Sequence, residues 1–554
     1  MKVAAIIAEY NPFHNGHAYQ LQKVRELSGA DFIIALMSGD WVQRGEPAIV
    51  DKYIRTEMAL SCGADLVLEL PLAAATGSAG DFALGAVAIL EKLGCVDELW
   101  FGGESDDMEM FESVSEILAE EPPAYIALLR KYMSEGKNFP AAREMAITEM
   151  LTAGMTFENV PAEKAAGVEN AFGVKKTVGK KKNIGEKELR AFLRGSNNIL
   201  GLEYCLAIRK IENAGGEYST HPIRPHVLKR NGDAYKETRL QNTFASAMAI
   251  RQAMIESEAL QGLTKERRGE LLTGADDICK AWERQIPSKV FPLLAQYIEE
   301  RGILVPEDFS DMLSYQLLRE DKESITRYKD ISQDLGNRLI AAGASFTTLP
   351  EFAGLVKTRN KTQTAVQRAL VHILLQLSDD REKLLDPHYV RVLGFSQESG
   401  VNTVKVQSAQ ADAVKEQSAQ ADSAKAQKAR TDAVKTQSYR TDAVKAQRKE
   451  KNIHILPAED EASNRSGGDA ATDSATDAKV GQMAENVKKS DVKRLLHAIK
   501  KKGQIRLVTK ASRLKGEDSG EEIFAAELYE MTRARKKGDE VRPELSRSLC
   551  IVEG

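Results

Sequence analysis

Cysteine is scarce in this chain, with five in 554 residues at Cys62, Cys95, Cys205, Cys279 and Cys550 and no C-x-x-C pair. That scatter argues against a disulfide framework or a thiolate zinc site, and it suits a reducing cytoplasm, the expected location. Long apolar runs are missing too. None approaches the roughly 20 residues of a membrane span, and Glu9 and His14 break the first apolar stretch too early for a signal peptide. Charge of one sign is also lacking, since 77 Lys+Arg against 81 Asp+Glu leave a formal net charge of -4. The chain as a whole therefore does not advertise nucleic-acid binding. No membrane or DNA partner is expected, and any RNA contact has to come from a local patch.

The first hundred residues, by contrast, alternate regularly. Apolar runs at VAAIIA (3–8), FIIALM (32–37), LVLELP (66–71) and ELWFGG (98–103) recur about every thirty residues, the length of a βα unit. Helical patterns lie between them. AYQLQKVREL is expected to bury Leu21, Val24 and Leu27 and to stop before Gly29; GDFALGAVAILEKLG aligns Phe82, Val87 and Leu90 and ends at Gly94. Continuous apolar strands joined by helices predict an α/β fold, a Rossmann-like parallel sheet covered on both faces. The length calls for two or three domains. We divide the chain into a Rossmann-like part at 1–240 with a helical, basic insertion at 105–195, a mostly α-helical part at 241–395, an insert at 396–488, and a C-terminal remainder at 489–554. A strand is expected just before LKRNGDAY, and the lysine-rich VKKTVGKKKNIGEKELR reads as a solvated surface segment. Within the insert, 403–448 is a degenerate ten-residue repeat (AVKEQSAQAD, AVKTQSYRTD) with too few apolar positions to bury, so it reads as low-complexity and disordered.

Two of only eight histidines stand together as His14-Asn15-Gly16-His17. Chance would place H-x-G-H about 0.008 times in a chain of this composition. The motif follows the first strand and opens a helix, where open parallel sheets bind ligands. A helix N-terminus there offers N–H groups and partial positive charge to phosphates, and Gly16 lets a phosphate approach closely. Two imidazoles can donate to phosphate oxygens as charge builds in an in-line displacement. The plainer reading is that both residues only cap the helix. Arg44, in SGDWVQRGEPA after the second strand, suits pyrophosphate or carboxylate, or else pairs with Glu46 or Asp51.

These residues resemble one family. IIAEYNPFHNGHAYQL, MSGDWVQRGEPAIVDKYIRTEMAL, GADLVLELP, FALGAVAIL, FGGES, SNNILGLEY, LKRNGDAY and FASAMAIR occur in the order found in bacterial tRNA(Met) cytidine acetate ligases, of the HIGH-type nucleotidyltransferase superfamily. The resemblance implies that ATP and acetate form acetyl-adenylate, and that the acetyl group passes to the wobble cytidine of elongator tRNA(Met), giving N4-acetylcytidine. It implies an ATP site at Ile7, Ala8, Glu9, Tyr10, Asn11, Pro12, Phe13, His14, Asn15, Gly16, His17, Ala18, Tyr19 and Gln20, with Gly102, Asn197 and Arg230. His14, His17 and Arg44 are expected to act in catalysis. Mg²⁺ is expected with the ATP, although no carboxylate cluster identifies its ligands.

The helical part is expected to hold the tRNA, and LVKTRNKTQTAVQR supplies Lys357, Arg359, Lys361 and Arg368 for phosphate contact. The family's usual run there resembles K-R-Y-T-x-T-R, whereas this chain has Arg359-Asn360-Lys361-Thr362, which lacks the aromatic, and Ala365 where an arginine is expected. Two other readings are an adenylyltransferase acting on a phosphorylated small metabolite, which needs no helical half, and a non-catalytic RNA-binding protein, which leaves H-x-G-H without a purpose. Because the insert carries so little apolar sequence, deleting 401–485 is expected to leave the catalytic rate within about twofold and the melting temperature within a few degrees.

Overall fold

The structure, a computed structural model, describes residues 1–152, 185–213, 222–230, 245–261, 282–358, 361–380, 384–397, 492–513 and 520–552. The ten-residue repeat, most of the lysine-rich stretch and Arg359 lie outside them. All four apolar runs are strands: β1 (Val3–Ala8), β2 (Phe32–Ser38), β5 (Leu66–Leu70) and β6 (Glu98–Gly103), with the small hairpin β3 (Trp41–Val42) and β4 (Glu46–Pro47) between the second and third. The strand expected before LKRNGDAY is β7 (Arg224–Lys229). Pairing among β1, β2, β5, β6 and β7 is parallel, with Val3 opposite Phe32, Ile34 opposite Leu66, Ala4 opposite Glu98 and Glu98 opposite Arg224.

Residues of each strand alternate between two cores, which is why β1 and β2 are apolar at nearly every position. Val3, Ala5, Phe32 and Ile34 pack with the helix Ala79–Lys92 and its neighbours. Ala4, Ile6, Ile33 and Ala35 pack with α1 (Asn15–Ser28), α2 (Lys52–Ser61) and the helix Ala247–Gln261. One detail of α1 differs from expectation, because Leu27 is 61% exposed while Leu21, Val24, Arg25 and Ser28 are buried. A 3.6-residue period carries the inward face from 21 through 24 and 25 to 28, so a residue six positions on has rotated away.

The helical stretch after residue 244 does not stay helical. Tyr389–Ser396 is β8, antiparallel to β5 with Leu66 opposite Phe395, and β9 (Arg506–Val508) and β10 (Cys550–Val552) both pair parallel with β8. The sheet order is β10-β8-β5-β2-β1-β6-β7, with β9 also on β8. A third core, containing Phe309, Leu313, Phe352, Val366 and Leu370, is built by the helices between.

These late segments hold the loop after β2 in place. Trp41 Nε1 donates to the Ala525 carbonyl at 3.0 Å, and Tyr529 Oη donates to that of Ala48 at 2.8 Å. Beneath the loop lies a buried ion cluster. Lys52 Nζ is 2.6 Å from Glu544, 2.8 Å from Glu69 and 3.5 Å from Asp40. Arg391 joins Glu544 and donates to Tyr53 Oη at 2.6 Å, while Arg547 meets Asp51 at 3.1 Å. Arg55, wholly buried, gathers the carbonyls of Glu9 (2.7 Å), Ser38 (3.0 Å), Val50 (3.1 Å) and Gly39. One guanidinium thus ties the end of β1 to both ends of the neighbouring loop.

Candidate active site

β1 ends at Ala8, and the chain turns through Tyr10 (φ 49°) and a cis Asn11–Pro12 bond to reach His14. His14 is the N-cap of α1, with its Nδ1 accepting the Gly16 N–H at 3.0 Å, and His17 Nδ1 accepts the His14 N–H at 3.3 Å. A ring nitrogen that accepts carries no proton, so each neutral imidazole keeps its hydrogen on Nε2. The two rings stack with centroids 3.8 Å apart, and Tyr10 stands edge-on to His17 at 4.8 Å.

Burial, helped by the positive charges of Arg230 and Arg251, lowers His14 to about 3. Burial, then His14 and Arg230, holds His17 well below its usual value. Both rings are therefore neutral at pH 7 and present Nε2–H groups as donors. A pH dependence follows. Between pH 6.5 and about 3 the unfolded chain binds a proton at residue 14 that the folded one refuses, so stability falls with pH by up to about 1.4 kcal/mol per unit for this group. Melting curves of the parent and of His14→Asn between pH 7 and 5 are expected to show the shallower decline in the variant.

The helix terminus differs from expectation in one respect. Its first amides are already engaged: Asn15 N–H donates to Gln285 O at 2.7 Å, Gly16 N–H to His14 Nδ1, and His17 N–H to His14 O at 2.9 Å. What α1 offers an anion is its dipole and the two imidazoles rather than unpaired backbone donors. Asn15 Nδ2 is also committed, to Arg284 O at 2.8 Å. Ala18, Tyr19 and Gln20 follow, half-buried, on the first turns of α1; Ile7 and Ala8, at the end of the otherwise buried β1, and Glu9 just beyond it are half-buried too.

A second group forms around the end of β6. The Arg230 side chain lies across Gly102, where a Cβ would stand 3.2 Å from Arg230 Cγ, and its amide donates to Gly103 O at 2.9 Å. Arg230 Nη1 reaches Asn197 Oδ1 at 3.3 Å. Glu104 organises this corner by accepting from Asn197 N–H (3.0 Å), Asn197 Nδ2 (2.8 Å) and Asn198 N–H (2.8 Å). Gly102, Asn197 and Arg230 are thus brought together, and Arg230 acts electrostatically on both histidines.

The third group comes from the loop after β2. Gln43 N–H donates to Glu9 Oε1 at 2.9 Å. Burial raises the Glu9 carboxyl above its ordinary range, while Arg251 and Arg44 pull it down. The acids weighed above as partners of Arg44 have other cations, since Glu46 pairs with Arg251 at 2.9 Å and Asp51 with Arg547. Arg251 Nη1 also donates to Asn11 O at 2.8 Å. Gly45 (φ 71°) lets this turn press onto the helix Gln363–Leu374, where a Cβ would lie 2.4 Å from Arg368 N. Gln43 Nε2 and Asn11 Nδ2 are buried without a hydrogen-bond partner among the described residues, and a polar ligand in reach would offset that cost of about 1–3 kcal/mol each.

Arg251 and Glu104 were not singled out by the sequence, although FASAMAIR and FGGES contain them. Of the residues expected to meet RNA, Lys357 is exposed and Lys361 half-buried. Arg368 turns inward instead, with Nε 3.8 Å from Asp330 Oδ2 and its guanidinium pKa lowered by burial. No three His, Cys, Asp or Glu side chains among the described residues are arranged to hold a metal ion. None of the described helices is long and apolar enough to cross a membrane.

Comparison with known proteins adds an independent line. The sequence model of the HIGH Nucleotidyl Transferase family matches residues 1–453. The chain is 36% identical over 400 residues to the tRNA(Met) cytidine acetate ligase of Thermoanaerobacter sp. (strain X514), covering 72% of this chain and 84% of the relative. It is 35% identical over 402 residues to the ligase of the same name from Acetivibrio thermocellus, covering 72% and 84%. The crystal structure of Thermotoga maritima TmcAL bound with alpha-thio ATP superposes with a TM-score of 0.57 at 31% identity, over 73% of this chain and 83% of that one. The apo form of the Thermotoga protein gives 0.68 over the whole of both chains at 24% identity, a likeness of fold.

Proposed function

Because this chain belongs to the HIGH nucleotidyltransferases and, within them, to the tRNA(Met) cytidine acetate ligase family of ATP-dependent enzymes, we propose that it activates acetate with ATP and acetylates the wobble cytidine of elongator tRNA(Met). The observation that carries the reading is the stacked pair His14 and His17, neutral and fixed with Nε2–H as donor, with Arg230 close enough to act on both and Arg251 on His14. An acetate oxygen attacks the α-phosphorus of ATP, the bond to the bridging oxygen breaks, and pyrophosphate leaves. Charge accumulates on the phosphate oxygens during this displacement, and preorganised donors lower its cost.

The groups around the histidine pair divide the work. Gly102, Asn197 and Arg230 hold the nucleotide, with Gly102 leaving room for a close approach and Arg230 neutralising phosphate. Arg44, Gln43 and Arg251 face the carboxylate substrate. The cytidine N4 then attacks the acetyl carbonyl, the acyl–phosphate bond breaks, AMP departs with the electron pair, and one amine proton is released. Lys357 and Lys361 contribute RNA contact. Mg²⁺ would accompany the triphosphate, and the described side chains do not build a protein cradle for it.

The test is to incubate the protein with ATP, labelled acetate and elongator tRNA(Met), digest the RNA and look for N4-acetylcytidine. Absence of the modified base, with pyrophosphate release that instead requires a phosphorylated metabolite, would overturn the reading.

A further inference from the structure

We propose that the segment Val492–Arg513 is a docking surface for the phosphate backbone of the RNA substrate, an inference that rests on the tRNA reading above. Its sequence holds five lysines and three arginines with no Asp or Glu, in a chain of formal charge -4. Such a run is most often a solvated tail. Here it is built into the fold. The helix Val492–Lys502 buries Val492, Leu495 and Ile499 in the core beneath the sheet. The chain then turns at Gly503, donates from Gln504 N–H to Lys92 O at 2.7 Å and from Arg506 N–H to His388 O at 3.1 Å, and enters the sheet as β9.

With the apolar positions turned inward, Arg494, Lys501, Lys502, Arg506 and Lys510 are exposed on an ordered scaffold. Some exposed cations elsewhere have acidic neighbours, as Arg194 has Glu144 at 2.9 Å and Arg327 has Glu320 at 2.7 Å, and those that have none, such as Lys289 and Lys322, stand singly rather than in a cluster. None of the five has a carboxylate within ion-pair distance among the described residues. Lysines in the last turn of a helix also favour its dipole, but that accounts for neither Arg506 nor Lys510, which lie beyond the helix. Like charges left uncompensated on a rigid surface repel one another, and a polyanion laid across them removes that repulsion while releasing its own counterions. A bilayer is the poorer occupant, because the apolar row it would need to insert is already buried.

The experiment compares the parent with Arg494→Gln/Lys501→Gln/Lys502→Gln/Arg506→Gln, with Lys501→Gln/Lys502→Gln as a milder second variant should the first fold poorly. The parent must first acetylate tRNA; if it does not, the functional reading fails, and this surface loses its premise. Given acetylation, the quadruple variant is expected to raise KM for tRNA at least about tenfold and to flatten the dependence of log affinity on log salt by about 3. Acetate-dependent ATP–pyrophosphate exchange without tRNA stays at the parent rate. An unchanged KM and salt slope in folded variants would overturn the proposal. So would an unchanged KM in variants that have lost a parental ability to sediment with phosphatidylglycerol vesicles.

Discussion

His14→Asn is expected to fold as the parent does and to exchange pyrophosphate about 10²–10³-fold more slowly. The reason lies in the two ring nitrogens of His14. Asparagine places a side-chain oxygen near the Nδ1 position, and it is among the best N-caps, so the bond to the Gly16 amide survives. It has nothing at the Nε2 position. Loss of one preorganised donor to developing charge costs about 10²–10³ in rate. His17→Ala should show a similar loss in adenylate formation while tRNA affinity remains within about twofold, since nothing in the His17 environment belongs to the basic surface. A His14→Asn protein that exchanges pyrophosphate at the parent rate would show that the ring merely caps the helix. The measurement is acetate-dependent exchange at saturating ATP, alongside a melting curve.

The second large effect concerns stability. Lys52 is almost fully buried among Asp40, Glu69 and Glu544, and their combined charge raises its pKa against the opposing effect of burial. Lys52→Met removes the cation and strands its carboxylates, a loss of about 3–5 kcal/mol for a broken buried ion cluster. Adding Glu544→Gln should recover part of that loss, because residues in one network are not additive. Sensitivity to acid is the companion result. Lys52 and Arg391 hold Glu544 at about 2 against the cost of its burial. Its contribution is complete above the unfolded carboxylate pKa of about 4.3 and disappears as pH falls towards 2. Urea unfolding of the three proteins at pH 7 and pH 4 measures both effects, and equal stability of Lys52→Met and the parent would refute the first.

How much of this the sequence disclosed depends on the range of the interactions. β1, β2, β5 and β6 were legible because a strand buried on both faces is apolar at consecutive positions, a purely local signature. β8 was not, since YVRVLGFS gains its place by pairing with residues more than 300 positions earlier, and no local pattern names a partner. His14 and His17 were legible as a pair because strand, turn and helix coincide there. Arg251 and Arg55 were not, since an arginine on an amphipathic helix reads as a surface residue until its partners are known. Arg368 illustrates the reverse error. It was grouped with Lys357 and Lys361 by nearness in sequence, but 11 residues along a helix-loop-helix path the side chain faces inward.

The position of β8 also governs the order of events during synthesis. β5 emerges from the ribosome with its neighbour β2 already made, yet the strand that closes its other side follows more than 300 residues later. At about 5–20 residues per second that is a delay of roughly 15–65 s. Until β8 follows, the N–H and C=O groups along that side of β5 lack the strand that pairs with them in the fold, and an unpaired edge of this kind is a template for pairing with another chain.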